Sequence, residues 1–262
     1  VSDNKEGVPH ARVIVPAPVI SFGHGYMAPP EVCTSTLEHL ACRGYIVIAS
    51  RSGLELFPSH QMFAEDLCHC LTFMADQHAN PDSIWYQQVN VEAFGLLGLS
   101  MGGGACILAA ADDPRVKAAA TMAAAETRPP ASEAAGDVSV PVCFLLGTED
   151  QIAPPAQHGL KIYEAAGPQR LALLIEGGDH CGFTDLNAPC ICDQGSIERQ
   201  DQLAVTCERL TAFFDLYLRN HPDARAQLLA ASPPGSPSVI VLGEVADEAV
   251  NVIPVKELDL LR

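Results

Sequence analysis

Basic residues are scarce in this chain: 15 Lys and Arg stand against 32 Asp and Glu, for a net charge of −17. A surface of that sign repels a phosphate backbone and an anionic bilayer alike, which argues against nucleic acid as a partner. Long hydrophobic runs are missing too. Hydrophobic residues make up 48% of the chain, yet no apolar stretch reaches the roughly 20 residues that a spanning helix needs, so stable membrane insertion is not expected. Two C-x-x-C pairs at zinc-ribbon spacing are absent; the close cysteines, 68 with 70 and 190 with 192, are C-x-C pairs, and no metal or other cofactor is expected. There is no internal repeat. The first ten residues are polar and lack the basic plus apolar pattern of a targeting peptide, and the start at Val1 leads us to expect a chain trimmed of one.

What is present is enough for one large domain. A chain of 262 residues buries roughly three quarters of the surface that it exposes unfolded. The even count of ten cysteines suits disulfides, hence an oxidising compartment: secreted, extracellular or organellar. Cys106 and Cys143 lie in apolar stretches and read instead as small core hydrophobes.

Short apolar runs at 19–22, 45–49, 93–99, 117–122, 142–146 and 171–175 read as buried strands. Between them, 33–43, 62–78, 101–111 and 155–165 carry helical periodicity, and 199–219 closes the series. Strand and helix in alternation imply an α/β fold, an open and mostly parallel sheet with helices on both faces and its chemistry at the carboxyl ends of the strands. The Ala- and Pro-rich stretch 123–136 is expected to loop. The domain is expected to span residues 1–230. After the linker-like 232–238, an extension over 231–262 holds two short strands, 239–242 and 250–255, that would pair on a sheet edge or mediate oligomerisation.

The strongest motif is Gly98-Leu99-Ser100-Met101-Gly102, directly after an apolar run and before a helix of small residues. A nucleophile elbow needs glycine at both ends because its serine occupies a strained turn where flanking side chains would collide. A serine hydroxyl is a weak nucleophile and requires a base held by a carboxylate. Asp150 follows the run 142–146, 50 residues after the serine, and His180 follows 171–175, 30 residues later. The order Ser100, Asp150, His180 is that of a strand-ordered Ser-Asp-His site. Glu149 and Asp179 compete for the acid's role but are expected to face solvent or hold the loop. His10, His39, His78 and His221 are expected at the surface. The oxyanion of an acyl-transfer reaction needs two backbone donors, for which the amides of Met101 and, from the loop after the first strand, Tyr26 are the candidates. His24 in that loop reads as a stabiliser of the loop.

These residues resemble the bacterial cutinase and polyester-hydrolase branch of the α/β-hydrolases, with the related dienelactone hydrolases and platelet-activating-factor acetylhydrolases. The similarity runs in register through Gly25-Tyr26, "RGYIVIAS" at 43–50, "GLSMGGGA" at 98–105, "DQIAP" at 150–154 and "GGDH" at 177–180. It implies the α/β-hydrolase fold, a Ser100-His180-Asp150 triad working through an acyl-enzyme, and an oxyanion hole at Tyr26 and Met101. The substrate would be a small-molecule or polymeric ester. Departures concern that substrate. The aromatic residues that the polyester hydrolases place before the serine and after the next strand are Leu99 and the alanines 123–125 here, and the single tryptophan, Trp85, stands elsewhere. The serine departs from the cysteine of dienelactone hydrolases, and Met101 from the basic residue of plant chlorophyllases. A cleft lined by Tyr26, Met27, Leu99 and Phe183 would suit aliphatic or lipophilic esters; a phytyl ester, as in chlorophyllases, and a non-catalytic hydrolase-fold binding protein are the alternatives. The segment 181–192, with Phe183, Pro189, Cys190 and Cys192, is either a disulfide-pinned flap beside the base or an ordered loop.

Overall fold

The structure, a computed structural model, describes residues 16–186, 192 and 194–243. Its chain order is β1 (Ala17–Gly23), α1 (Thr34–Cys42), β2 (Ile46–Ala49), α2 (His60–Ala79), β3 (Val89–Leu99) and α3 (Met101–Asp112). Then come β4 (Val116–Met122), α4 (Ala131–Ala134), β5 (Val142–Gly147), α5 (Gly159–Ala165), β6 (Arg170–Ile175), α6 (Arg199–Leu218), α7 (Ala224–Leu229) and β7 (Val239–Gly243). The strands form one sheet in the order β2-β1-β3-β4-β5-β6-β7. All neighbours are parallel except β6 and β7, which pair antiparallel. This is an α/β-hydrolase architecture, a mostly parallel sheet covered on both faces.

The continuous apolar strands follow from burial on both sides, since alternate side chains must each find a core. On β3, Leu96 packs with Phe63, Leu67 and Leu71 of α2 and with Ala105 of α3, while Leu97 packs with Leu210, Phe213 and Phe214 of α6. Its neighbour β1 divides in the same way, Val19 to the first face and Ile20 and Phe22 to the second. Six parallel strands send their carboxyl ends to one edge. Every loop after β1, β2, β3, β4 and β5 therefore opens on that edge, as does the turn after β6.

Four elements depart most from the sequence reading. Strand β3 starts at Val89 rather than 93 because Val89 and Val91 alternate with Asn90 and Glu92, a period-two stretch on the half-covered end of the sheet. Helix α5 starts only at Gly159, the residues from Pro155 to His158 being turns. The stretch 123–136, expected to loop, holds the one-turn α4. The unforeseen α7 is held by Arg209 of α6, a fully buried guanidinium whose N–H groups reach the carbonyls of Gln227, Leu228 and Ala230 at its carboxyl end. The expected strand 239–242 is β7, which adds to the sheet edge at β6; the second, 250–255, lies outside the described residues.

Candidate active site

Ser100 stands between the last residue of β3 and the first of α3 with φ 54° and ψ −117°. That is left-handed backbone, which costs a non-glycine residue energy and persists only where the surroundings impose it. Packing imposes it here. A Cβ on Gly98 would lie 2.1 Å from the Gly102 carbonyl oxygen, and one on Gly102 would lie 2.2 Å from that of Gly23. Gly104 likewise abuts the Ala125 carbonyl. The Ser100 amide donates to Met122 O at 2.9 Å and its carbonyl accepts from Ala125 N at 2.9 Å, which ties the turn to β4. The Ser100 side chain is half-buried, at the foot of α3, and Met101 is the first residue of that helix, where an amide has no intrahelical acceptor.

The loop after β1 runs alongside. A Cβ on Gly25 would sit 3.6 Å from the Ser100 Cβ, so the backbone of this loop faces the serine. Buried His24 holds it, with Nδ1 2.8 Å from Gly25 O and Nε2 2.8 Å from Ser52 O. The Tyr26 hydroxyl donates to Leu56 O at 2.6 Å, a second tie to the segment after β2.

Asp150 and His180 are brought into contact. The carboxylate Oδ2 lies 2.7 Å from His180 Nδ1, and Oδ1 accepts the amides of Ile152 at 2.9 Å and Ala153 at 2.7 Å. Both residues are buried. A proton on Nδ1 that is donated to the carboxylate leaves the lone pair of a neutral imidazole on Nε2. The competing acids do other work. Glu149 is exposed and accepts from Ser196 Oγ at 2.8 Å. Asp179 accepts the amides of Gly182 at 2.6 Å and Gly195 at 2.8 Å, closing the turn that carries His180.

The expected lining residues separate into two groups. Tyr26 and Met27 are exposed, but Leu99 is 2% and Phe183 0% exposed, both in the core cluster with Leu97, Met122 and Ala123. A side chain without surface offers none to a ligand, so these two pack beneath the site instead of lining it. What the sequence reading missed lies on the loops and in the first turn of α2. Leu56, Phe57, Met62 and Ile152 are exposed, and with Tyr26 and Met27 they are six of the nine large apolar side chains left in solvent among the described residues; all six stand at the carboxyl edge of the sheet. Phe57 is 88% exposed.

Other expectations need correction. His39 is half-buried, with Nε2 2.9 Å from Thr211 Oγ1, and burial and the nearby Arg43 lower its pKa. His78 is half-buried as well and accepts the Val89 amide; His221 is exposed, and His10 lies outside the described residues. Among the described cysteines only Cys181 and Cys192 are bonded, and seven are free. Burial pushes the thiols of Cys33 and Cys68 up to about 12, with nearby Asp185 and Asp113 acting in the same direction, so both stay protonated near neutral pH. Pro189 and Cys190 lie outside the described residues. Among the described residues no group of three or more His, Cys, Asp or Glu side chains is placed to hold a metal ion, and no helix is long and apolar enough to cross a membrane.

Against known families, a model described as PETase, PET hydrolase-like, matches residues 15–195, which is more than half of the chain. The chain belongs to the PET hydrolase-like family. Membership agrees with the sheet order and makes the protein an ester hydrolase in general terms. The match takes in β1 through β6 and the positions of Ser100, Asp150 and His180, and stops before α6. No curated protein matches the chain. Within the PET hydrolase-like family frame, the neighbours of Ser100 are aliphatic: Leu99, Ala123 and Ala124 are all buried.

Proposed function

We propose that the protein is a serine carboxylic ester hydrolase that uses Ser100, His180 and Asp150 and acts on aliphatic or lipophilic esters. The observation that carries this reading is the buried Asp150–His180 pair at 2.7 Å, on the same sheet edge as a serine held at φ 54°. His180 Nε2 takes the Ser100 hydroxyl proton as the oxygen bonds to the ester carbonyl carbon, and Asp150 stabilises the imidazolium that forms. The amides of Tyr26 and Met101 hold the oxyanion. Collapse of the tetrahedral adduct passes the proton from His180 to the leaving alkoxide, giving the alcohol and an acyl-Ser100 ester. Water, deprotonated by the same imidazole, then releases the acid and restores the serine.

The six exposed apolar side chains at that edge support a lipophilic substrate, because each methylene buried against them contributes about 0.8 kcal/mol. The Cys181–Cys192 disulfide supports an oxidising compartment, secreted, extracellular or organellar. A fluorophosphonate probe and a p-nitrophenyl ester chain-length series test the function. Wild-type protein should label and turn over, and Ser100→Ala should lose labelling and roughly 10⁶-fold in kcat while melting at the same temperature. Turnover retained by Ser100→Ala would overturn the mechanism. A folded wild type that neither labels nor hydrolyses would favour a hydrolase-fold binding protein.

A further inference from the structure

Helix α6 carries a glutamine, Gln202, that is 1% exposed and so must find partners for its amide. It finds both on one residue. Its Oε1 accepts the Asp179 amide at 3.0 Å, and its Nε2 donates to the Asp179 carbonyl at 2.8 Å. The side chain thus pairs with Asp179 as a neighbouring strand would. The second of these bonds fixes the peptide plane that joins Asp179 to His180. The turn is shaped around the glutamine: a Cβ on Gly182 would lie 2.0 Å from its Oε1, and one on Gly178 would lie 3.0 Å away. The Asp179 carboxylate closes the same turn from the other side through Gly182 and Gly195.

We infer that Gln202 is a positioning residue for the base: by gripping both peptide groups of Asp179 it sets the direction in which the His180 imidazole leaves the backbone. The inference rests on the reading of His180 as the base. On one side the ring is fixed through Nδ1 by Asp150; its backbone root is fixed by Gln202. With the root released, the ring keeps its carboxylate partner but pivots about it, which displaces Nε2 relative to Ser100. Displacements of about 1 Å at a reacting group cost up to roughly 100-fold in rate.

The test uses the full chain with Gln202→Met, which keeps length without hydrogen bonds, and Gln202→Glu, which keeps shape but loses the donor to Asp179 O. Sites are titrated with a fluorophosphonate, and kcat and KM for p-nitrophenyl butyrate are measured per titrated site. The expected result is a fall in kcat of about 10- to 100-fold with KM little changed, and a proportional slowing of labelling. Fewer titratable sites, each with wild-type kcat, would overturn the inference, because that is the signature of a residue needed only for folding. If Gln202→Met does not fold, the isosteric Gln202→Glu decides on the same readout. His180→Ala run in parallel keeps the two readings apart: wild-type rates there would remove His180 as the base, whatever Gln202 does.

Discussion

Around Ser100 the backbone is shaped by what side chains leave out. Gly23, Gly98 and Gly102 let three stretches of main chain touch. Around His180, in the turn after β6, the backbone is held by side chains: Asp150, Asp179, Gln202 and the Cys181–Cys192 bridge. The surface differs as well. Five of the six exposed apolar side chains, all but Ile152, stand on the serine's side, with the loops after β1 and β2 and the start of α2. Close contact of backbones tolerates no added atom. A network of hydrogen bonds can lose one member and keep its shape in part.

That contrast is most easily broken at Gly102. Alanine there would place a Cβ 2.2 Å from the Gly23 carbonyl, and overpacking between two backbones should cost about 3 kcal/mol or more. Urea unfolding of Gly102→Ala should show the loss; an unchanged midpoint would mean that the elbow yields. On the polar side, Cys192→Ser opens a loop with a sequence separation of 11, which should cost about 2–3 kcal/mol. Because Asp179 and Gln202 still hold the turn, activity at 25 °C should survive, as assays without reductant would show. The smallest effect belongs to the apolar rim. Phe57→Ala should leave stability within about 0.5 kcal/mol and lower the decanoate-to-acetate ratio of kcat/KM by roughly fivefold, equivalent to about 1 kcal/mol. Phe73→Ala, an equally apolar exposed site on the body of α2, should leave the ratio unchanged.

The two halves also differ in how much the sequence revealed. The elbow was legible because its cause is local: G-x-S-x-G between an apolar run and a small-residue helix already contains the close approach that places Ser100. Asp150 and His180 were legible from their position after two further strands. Gln202 was not, since a single glutamine in an amphipathic helix looks the same whether it faces water or grips a peptide 23 residues earlier. Leu99 and Phe183 were misplaced for a related reason. Proximity in sequence to Ser100 and His180 says nothing about which face of the backbone a side chain takes, and both take the inner one. The apolar loop at Leu56 and Phe57 carries no such signal, because it follows a strand that bears none of the candidate site residues; the Tyr26 hydroxyl ties it to the loop beside Ser100.

Strand β7 runs against β6, and its register, Leu171 opposite Gly243 through Ile175 opposite Val239, covers all of β6 but Arg170. Without it β6 would be the outermost strand, its amides and carbonyls on one side open to water and to any other chain. With it, β6 is bonded on both flanks and opens only with its neighbours. Amides of such a strand exchange with solvent at the pace of broad unfolding rather than of local fraying. His180, the base in the proposed mechanism, therefore hangs from a strand that does not breathe by itself.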